Sequence, residues 1–233
     1  MALKLHYAPD NASLIVRLAL EELGLPYQCT LVDRAQNAQN APAYLAVNPA
    51  GLIPALETLD GPIFETGAIL LWLSELKNGA LAPRAGAAAR ADFLKWFIFT
   101  ANTLHPGLRM TFYPEKYLEG DKTAQVKLRK NAQERLDHSL TLLNAAYTKQ
   151  QPYFSGMQPC LLDLYLAPLL RWCALYPLGQ SDWFDITRYQ ALHTMAAALE
   201  IRPCAQAAIT AEGLGPTPFT APRHARPPEG SAT

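Results

Sequence analysis

A proline at the mouth of a strand constrains this chain more than any other feature. Residues 48–66 read NPAGLIPALETLDGPIFET, with Ile53-Pro54 between a Gly51 turn and a β-like run, Ala55-Leu56-Glu57. Proline has no N–H to give a sheet ladder, so it stands at an edge, at a first strand position or at a bulge. A cis X-Pro bond costs only about 0.5–1 kcal/mol and marks tight turns. Such a bend leaves the backbone N–H and C=O of Ile53 open to an extended peptide ligand. Asp60-Gly61 then makes a hairpin turn, Ile63-Phe64 a second strand, and Glu65-Thr66-Gly67 opens a helix. The first N–H groups of that helix lack partners and favour an anion. The stretch is thus suited to hold a peptide backbone beside a carboxylate. The plain alternative is an ordinary hairpin feeding a helix.

The flanking sequence gives this stretch a setting. Residues 3–7 alternate as a short strand. Pro9-Asp10-Asn11 breaks it, and Asp10 or Asn11 suits the cap of a helix over about 12–23, stopped by Gly24. Residues 27–32 are β-like, a polar stretch runs to Asn40, and a short helical piece lies around 43–45. With the two strands above and a helix over 67–76, the order is β-α-β-α-β-β-α. This is a thioredoxin-like α/β arrangement with a right-handed crossover in its first half. Residues 79–86 read as a linker. Beyond them no strand pattern occurs. Helices are expected over 87–112 with a kink at Pro106-Gly107, then over 122–147, 161–173, 186–199 and 203–212. The segment 161–173 is apolar on nearly every side and should be the buried central helix. The organisation is therefore a domain over 1–78, a linker, an all-helical domain over 87–213, and a Pro-rich tail over 214–233 expected to be disordered.

Charge and cysteine usage exclude several classes of function. Twenty Lys and Arg balance twenty Asp and Glu, which leaves no footprint for nucleic acid or an anionic membrane. No run is long and apolar enough to span a bilayer, and the N-terminus lacks the apolar core of a secretory signal. Cys29, Cys160, Cys173 and Cys204 are scattered without metal-ligand spacing. Reduced thiols and a cytoplasmic location are expected.

At this point the motifs resemble a known family. NPAGLIPALETLDGPIFET is similar to the glutathione site of glutathione transferases, whose architecture is also a small thioredoxin-like domain followed by an all-helical one. The resemblance covers about residues 1–213, including LALEELGLPY, FSG…LLDLYLAPLLRW and RPCAQAAITAEGL. It implies glutathione as co-substrate, no metal, a two-fold homodimer and a detoxifying role. It also implies that Ile53, before a cis Pro54, bonds the cysteinyl backbone of glutathione, and that Glu65 and Thr66 hold its γ-glutamyl end. Asp163 matches the acid of the family's N-capping motif; the usual Ser or Thr is Cys160 here, a weaker cap by about 1 kcal/mol.

Conjugation needs the thiolate. A thiol of pKa near 8.5 is only a few per cent ionised at pH 7, and a charge-assisted hydrogen bond worth about 1.5–3 kcal/mol lowers that pKa by about one to two units. The candidates for this bond lie after the first strand. The sequence most resembles the bacterial beta class, whose signature cysteine position is Ala12 here. Asn11, through its amide, and Ser13, through its hydroxyl, are the donors of choice, with helix capping as their bland role. Asp10 is assigned to the cap because an ionised carboxylate repels a thiolate. Tyr7 matches the tyrosine used by other classes. His105, in NTLHPGL, resembles a beta-class histidine that points into the cleft. The lysine and asparagine that often accompany it are Pro106 and Ile98. Arg109, Phe112, Tyr113 and Trp172 are the candidates for an apolar electrophile pocket between the domains. Two rival readings remain: a transferase-fold binding protein without chemistry, and a disulfide reductase acting through bound glutathione.

Overall fold

The computed structural model describes residues 3–149 and 158–232. Strand β1 (Leu3–Tyr7) pairs in parallel with β2 (Tyr27–Leu31) through the crossover helix α1 (Ser13–Glu22). After a short helix α2 (Pro42–Leu45), β3 (Ala55–Thr58) returns antiparallel to β1 and turns into β4 (Gly61–Phe64). Helix α3 (Thr66–Leu76) follows, and the sheet order is β2-β1-β3-β4. This is the thioredoxin-like arrangement expected from the strand and turn pattern. The hairpin turn, however, is Leu59-Asp60. Thr58 pairs with Gly61, and its hydroxyl donates to the Gly61 carbonyl at 2.7 Å while accepting the Asp60 N–H at 3.1 Å.

Every residue of α1 from Ser13 to Leu20 is buried, because the helix is enclosed by the sheet and by helices of the second half. Neither Asp10 nor Asn11 caps it as expected. Ala12 takes the N-cap position without a side-chain cap. Asn11 Oδ1 accepts only the adjacent Ala12 N–H, at 2.7 Å, and Asp10 is drawn elsewhere, as described below.

The second half is helical: α4 (Arg90–Phe99), α5 (His105–Phe112), α6 (Lys122–Thr148), α7 (Leu161–Leu175), α8 (Gln190–Glu200) and α9 (Pro203–Glu212). Between α4 and α5 the backbone widens into a π turn, Thr100–Leu104, in which the His105 N–H bonds the Thr100 carbonyl. Pro106 has no N–H to bond back, and a widened turn is one way to admit its ring. The kink expected at Pro106-Gly107 thus becomes a π turn just before the proline. The helix expected from 186 begins only at Gln190. Residues Ile186–Arg188 form a separate 3₁₀ turn in which the Asp185 side chain accepts the Thr187 N–H at 2.9 Å. Helix α7 is buried along almost its whole length, as its all-round apolar pattern requires. At its start Asp163 accepts the Cys160 N–H at 2.7 Å and the Tyr147 hydroxyl at 2.7 Å, so the acid half of the capping motif is made. The FSG motif at 154–156 lies outside the described residues. No described helix is long and apolar enough to cross a membrane.

The C-terminal segment corrects a sequence expectation: residues 214–232 are packed rather than disordered. Leu214 and Phe219 are buried. The Glu200 carboxylate accepts the N–H groups of Phe219 and Thr220, both at 2.7 Å. Arg226 N–H bonds the Gly213 carbonyl at 2.9 Å, and the Tyr7 phenol donates to the Glu229 carboxylate. A Pro-rich composition lowers the conformational entropy of the free chain. Where distant elements supply an apolar seat and buried charges, such a segment docks readily.

Candidate functional site

A cleft of about 720 Å³ opens between the thioredoxin-like half and helices α4, α5 and α7. One wall is the stretch that organises the sequence. The Ile53-Pro54 bond is cis. The preceding carbonyl, of Leu52, is pinned by the Tyr44 hydroxyl and the Asn48 amide, each at 2.6 Å. Among the described residues the backbone N–H and C=O of Ile53 make no hydrogen bond, so they remain available at the cleft wall. Glu65 stands just before α3 with φ of 70°. That left-handed conformation costs a non-glycine residue about 1–3 kcal/mol and is retained where the surroundings enforce it. Ile53, Pro54, Glu65 and Thr66 all line the cleft, beside the unsatisfied N–H groups of the first α3 turn.

The facing wall carries His105. Its Nδ1 lies 3.1 Å from the Tyr165 hydroxyl, and its ring meets Tyr165 edge to face. Burial pushes the Tyr165 phenol above its ordinary range; the Glu65 carboxylate adds to this and the Thr66 hydroxyl opposes it, so the two walls meet at this phenol. Desolvation, with the Arg109 cation acting in the same direction, lowers the His105 pKa to about 4. The imidazole is therefore neutral at physiological pH. Its ring resonances in NMR should stay constant from pH 8 to about 5.5 and titrate with a midpoint near 4. Because the folded pKa lies below the unfolded 6.5, this stabilising contribution is complete above pH 6.5. It is lost as pH falls towards 4. A midpoint above 6 would overturn the assignment.

The segment after β1 is arranged differently from expectation. Asp10, with φ of 52°, is a buried hub. Its carboxylate receives Arg171 bidentately, Nε and Nη2 both at 2.8 Å, together with Trp172 Nε1 at 2.8 Å and the Tyr176 hydroxyl at 2.9 Å. Its N–H donates to Glu212 at 2.8 Å. Arg171 also donates to the Pro218 and Arg223 carbonyls, tying the C-terminal segment to the same point. Asn11, next in sequence, lines the cleft. Its Oδ1 is taken by the Ala12 N–H, which leaves the Nδ2 donor. Ser13 does not line the cleft: its hydroxyl donates to the Ala8 carbonyl at 3.0 Å and accepts the Ala8 N–H at 3.3 Å, closing the β1–α1 turn. Tyr7 is likewise turned away, its phenol bound to Glu229 and its face under the Arg17 guanidinium. Both were candidate thiolate donors, and their geometry removes them from that role.

Arg109, Phe112, Tyr113 and Trp172 all line the cleft. Phe112 contacts Tyr113 and Tyr176 edge to face. Arg34, Asn102, Tyr165 and Arg171 were not singled out in the sequence. Arg34 sits in an aperiodic polar stretch, and Asn102 enters the lining from the π turn, one helical turn beyond Ile98. Arg171 is 161 residues from its partner, so no local pattern marks it.

A thioredoxin-like domain is thus joined to a helical one, with a cleft between them walled by a cis-proline loop and the start of a helix, the architecture of glutathione transferase structures. The glutathione S-transferase N-terminal domain family matches residues 12–76. A curated relative, glutathione S-transferase GstA of Escherichia coli O157:H7, is 29% identical over 91% of this chain and 100% of its own length. GstB of E. coli K12 is 31% identical over 66% of this chain and 74% of its own. Among solved structures, a glutathione transferase homologue from Sulfitobacter with bound glutathione is 26% identical, with a TM-score of 0.76 over 88% of this chain and 96% of that one. A beta-class enzyme of Sphingomonas chungbukensis is 26% identical, with a TM-score of 0.72 over 90% and 98%. The chain belongs to the glutathione S-transferase family.

Proposed function

We propose that the protein conjugates the glutathione thiolate to small hydrophobic electrophiles. The observation that carries this reading is the convergence on one cleft of the open Ile53 backbone, the Glu65-Thr66 helix start and the Asn11 amide, opposite aromatic side chains. The Ile53 N–H and C=O bond the cysteinyl backbone. Glu65 takes the γ-glutamyl ammonium, and the first N–H groups of α3, with Thr66, take its carboxylate. The sulfur then lies at Asn11, whose Nδ2 donates to the thiolate. His105 is neutral and serves as a donor or a steering group, not as a cation. With Ala12 at the beta-class cysteine position and the four cysteines free, the nucleophile belongs to the co-substrate. A two-fold homodimer in a reducing, cytoplasmic setting, with domains meeting at a linker over 79–86, completes the proposal.

Calorimetric titration with glutathione, paired with turnover of a chloronitroaromatic, tests it. Glu65→Ala should weaken glutathione by at least about tenfold, the loss of one charged hydrogen bond. Binding without turnover would instead identify a transferase-fold binding protein. Absence of binding would sink the reading.

A further inference from the structure

Three cations line the cleft without an ion-pair partner among the described residues: Arg34, Arg109 and Lys116. Two of them meet at the Tyr113 side chain. Arg34 Nη2 donates to the Tyr113 hydroxyl at 3.1 Å, and the Lys116 ammonium lies 4.4 Å from the Tyr113 ring centroid. Arg109 is one helical turn earlier, its carbonyl accepting the Tyr113 N–H at 3.0 Å. Two acids line the same cleft, Asp10 and Glu65, and Asp10 is balanced by Arg171. Three cations therefore face one uncommitted carboxylate, a surplus of two charges (3 − 1 = 2). The neighbouring acids do not cancel it. Asp33 turns to the Ala35 N–H at 2.9 Å, and Glu115 is outside the lining.

The glutathione thiolate carries a net charge equal and opposite to this surplus, but its anions are not all placed on these cations. In the proposed site its ammonium meets Glu65, its γ-glutamyl carboxylate the α3 start, and its thiolate the Asn11 amide. Its glycyl carboxylate takes one cation. At least one cation is left beside the apolar face of Phe112, in a half-enclosed cleft where a charge is screened less than in bulk water. Resting on the transferase reading, we propose that the second substrate is an anionic arene, an aryl halide bearing a carboxylate or sulfonate. The anion seats between Arg109 and Lys116, and the ring lies against Phe112. The thiol proton leaves to water, the sulfur attacks the halogen-bearing carbon, the C–S bond forms, and the halide departs with the electrons of the broken bond.

Binding of two product conjugates tests this without requiring turnover. S-(4-carboxy-2-nitrophenyl)glutathione and its 4-carboxamide analogue differ in one charge. Calorimetry on the full chain at about 20 mM salt should show the carboxylate binding about tenfold tighter, with the preference shrinking towards about 200 mM. In the Arg109→Gln/Lys116→Gln double variant the ratio should fall to within about twofold. Equal binding of the two conjugates by the unaltered protein would overturn the inference, as would an unchanged ratio in the variant or binding of neither. Turnover of 4-chloro-3-nitrobenzamide without an anion preference sinks this inference alone. A binding preference without turnover of either parent chloride sinks the conjugation reading and, with it, the substrate assignment, and leaves only the anion seat between Arg109 and Lys116.

Discussion

Asp10→Asn is expected to cost the fold about 3–5 kcal/mol, because it strips the counter-charge from a fully buried arginine. At this chain length that corresponds to a fall in Tm of about 10 °C. The Arg171 guanidinium would keep its backbone acceptors in the C-terminal segment but lose both carboxylate bonds. Trp172 Nε1 and the Tyr176 hydroxyl would also face a weaker acceptor. Denaturant unfolding of the single variants and of Asp10→Asn/Arg171→Met separates the pair from its surroundings. If the carboxylate acts through the charge, the double variant should recover at least about 1.5 kcal/mol relative to additivity. A loss below about 1 kcal/mol in Asp10→Asn would mean that water reaches the pair.

Asn11→Ala is expected to lower kcat/KM by about 10–100-fold while leaving glutathione affinity within a few-fold. Loss of one charge-assisted hydrogen bond, about 1.5–3 kcal/mol, returns the bound thiol pKa upward by about one to two units. The signature is therefore a shift of the alkaline-rising limb of the pH–rate profile to higher pH, with activity partly restored at pH 9. Thiolate absorbance near 240 nm in the complex reads the same pKa directly. The matching Ser13→Ala change should alter stability more than the pH profile, since its hydroxyl closes the β1–α1 turn. If Asn11→Ala changes turnover by less than about tenfold, the thiolate is held by something other than this amide.

The two expectations differ in where their residues could be recognised. Ile53-Pro54 and Glu65-Thr66, where α3 starts, lie within fourteen residues of one another, 53–66, and their geometry follows from local rules: proline at a strand entrance, a two-residue turn, an open helix start. Helix α7 was equally legible, because apolarity on all sides leaves a helix nowhere but the interior. The roles of Asp10, Ser13 and Tyr7 were not. Each sits in a stretch whose local chemistry suits a cap or a donor, and each is committed by a partner far along the chain or by its own turn. Asp10 goes to Arg171, Tyr7 to Glu229 and Ser13 to Ala8.

The C-terminal segment shows the same division. Composition alone describes an extended, weakly apolar chain. Docking is decided by Glu200, Arg171 and the seat for Phe219, none of which lies within the segment. What the amino-acid order determined by itself was the element sequence, the cis-proline loop and the membership of the cleft's first wall, because these depend on interactions between near neighbours. Tertiary structure decided which polar groups remain free to act, since a buried donor or acceptor is claimed by whichever partner the packing brings within about 3 Å.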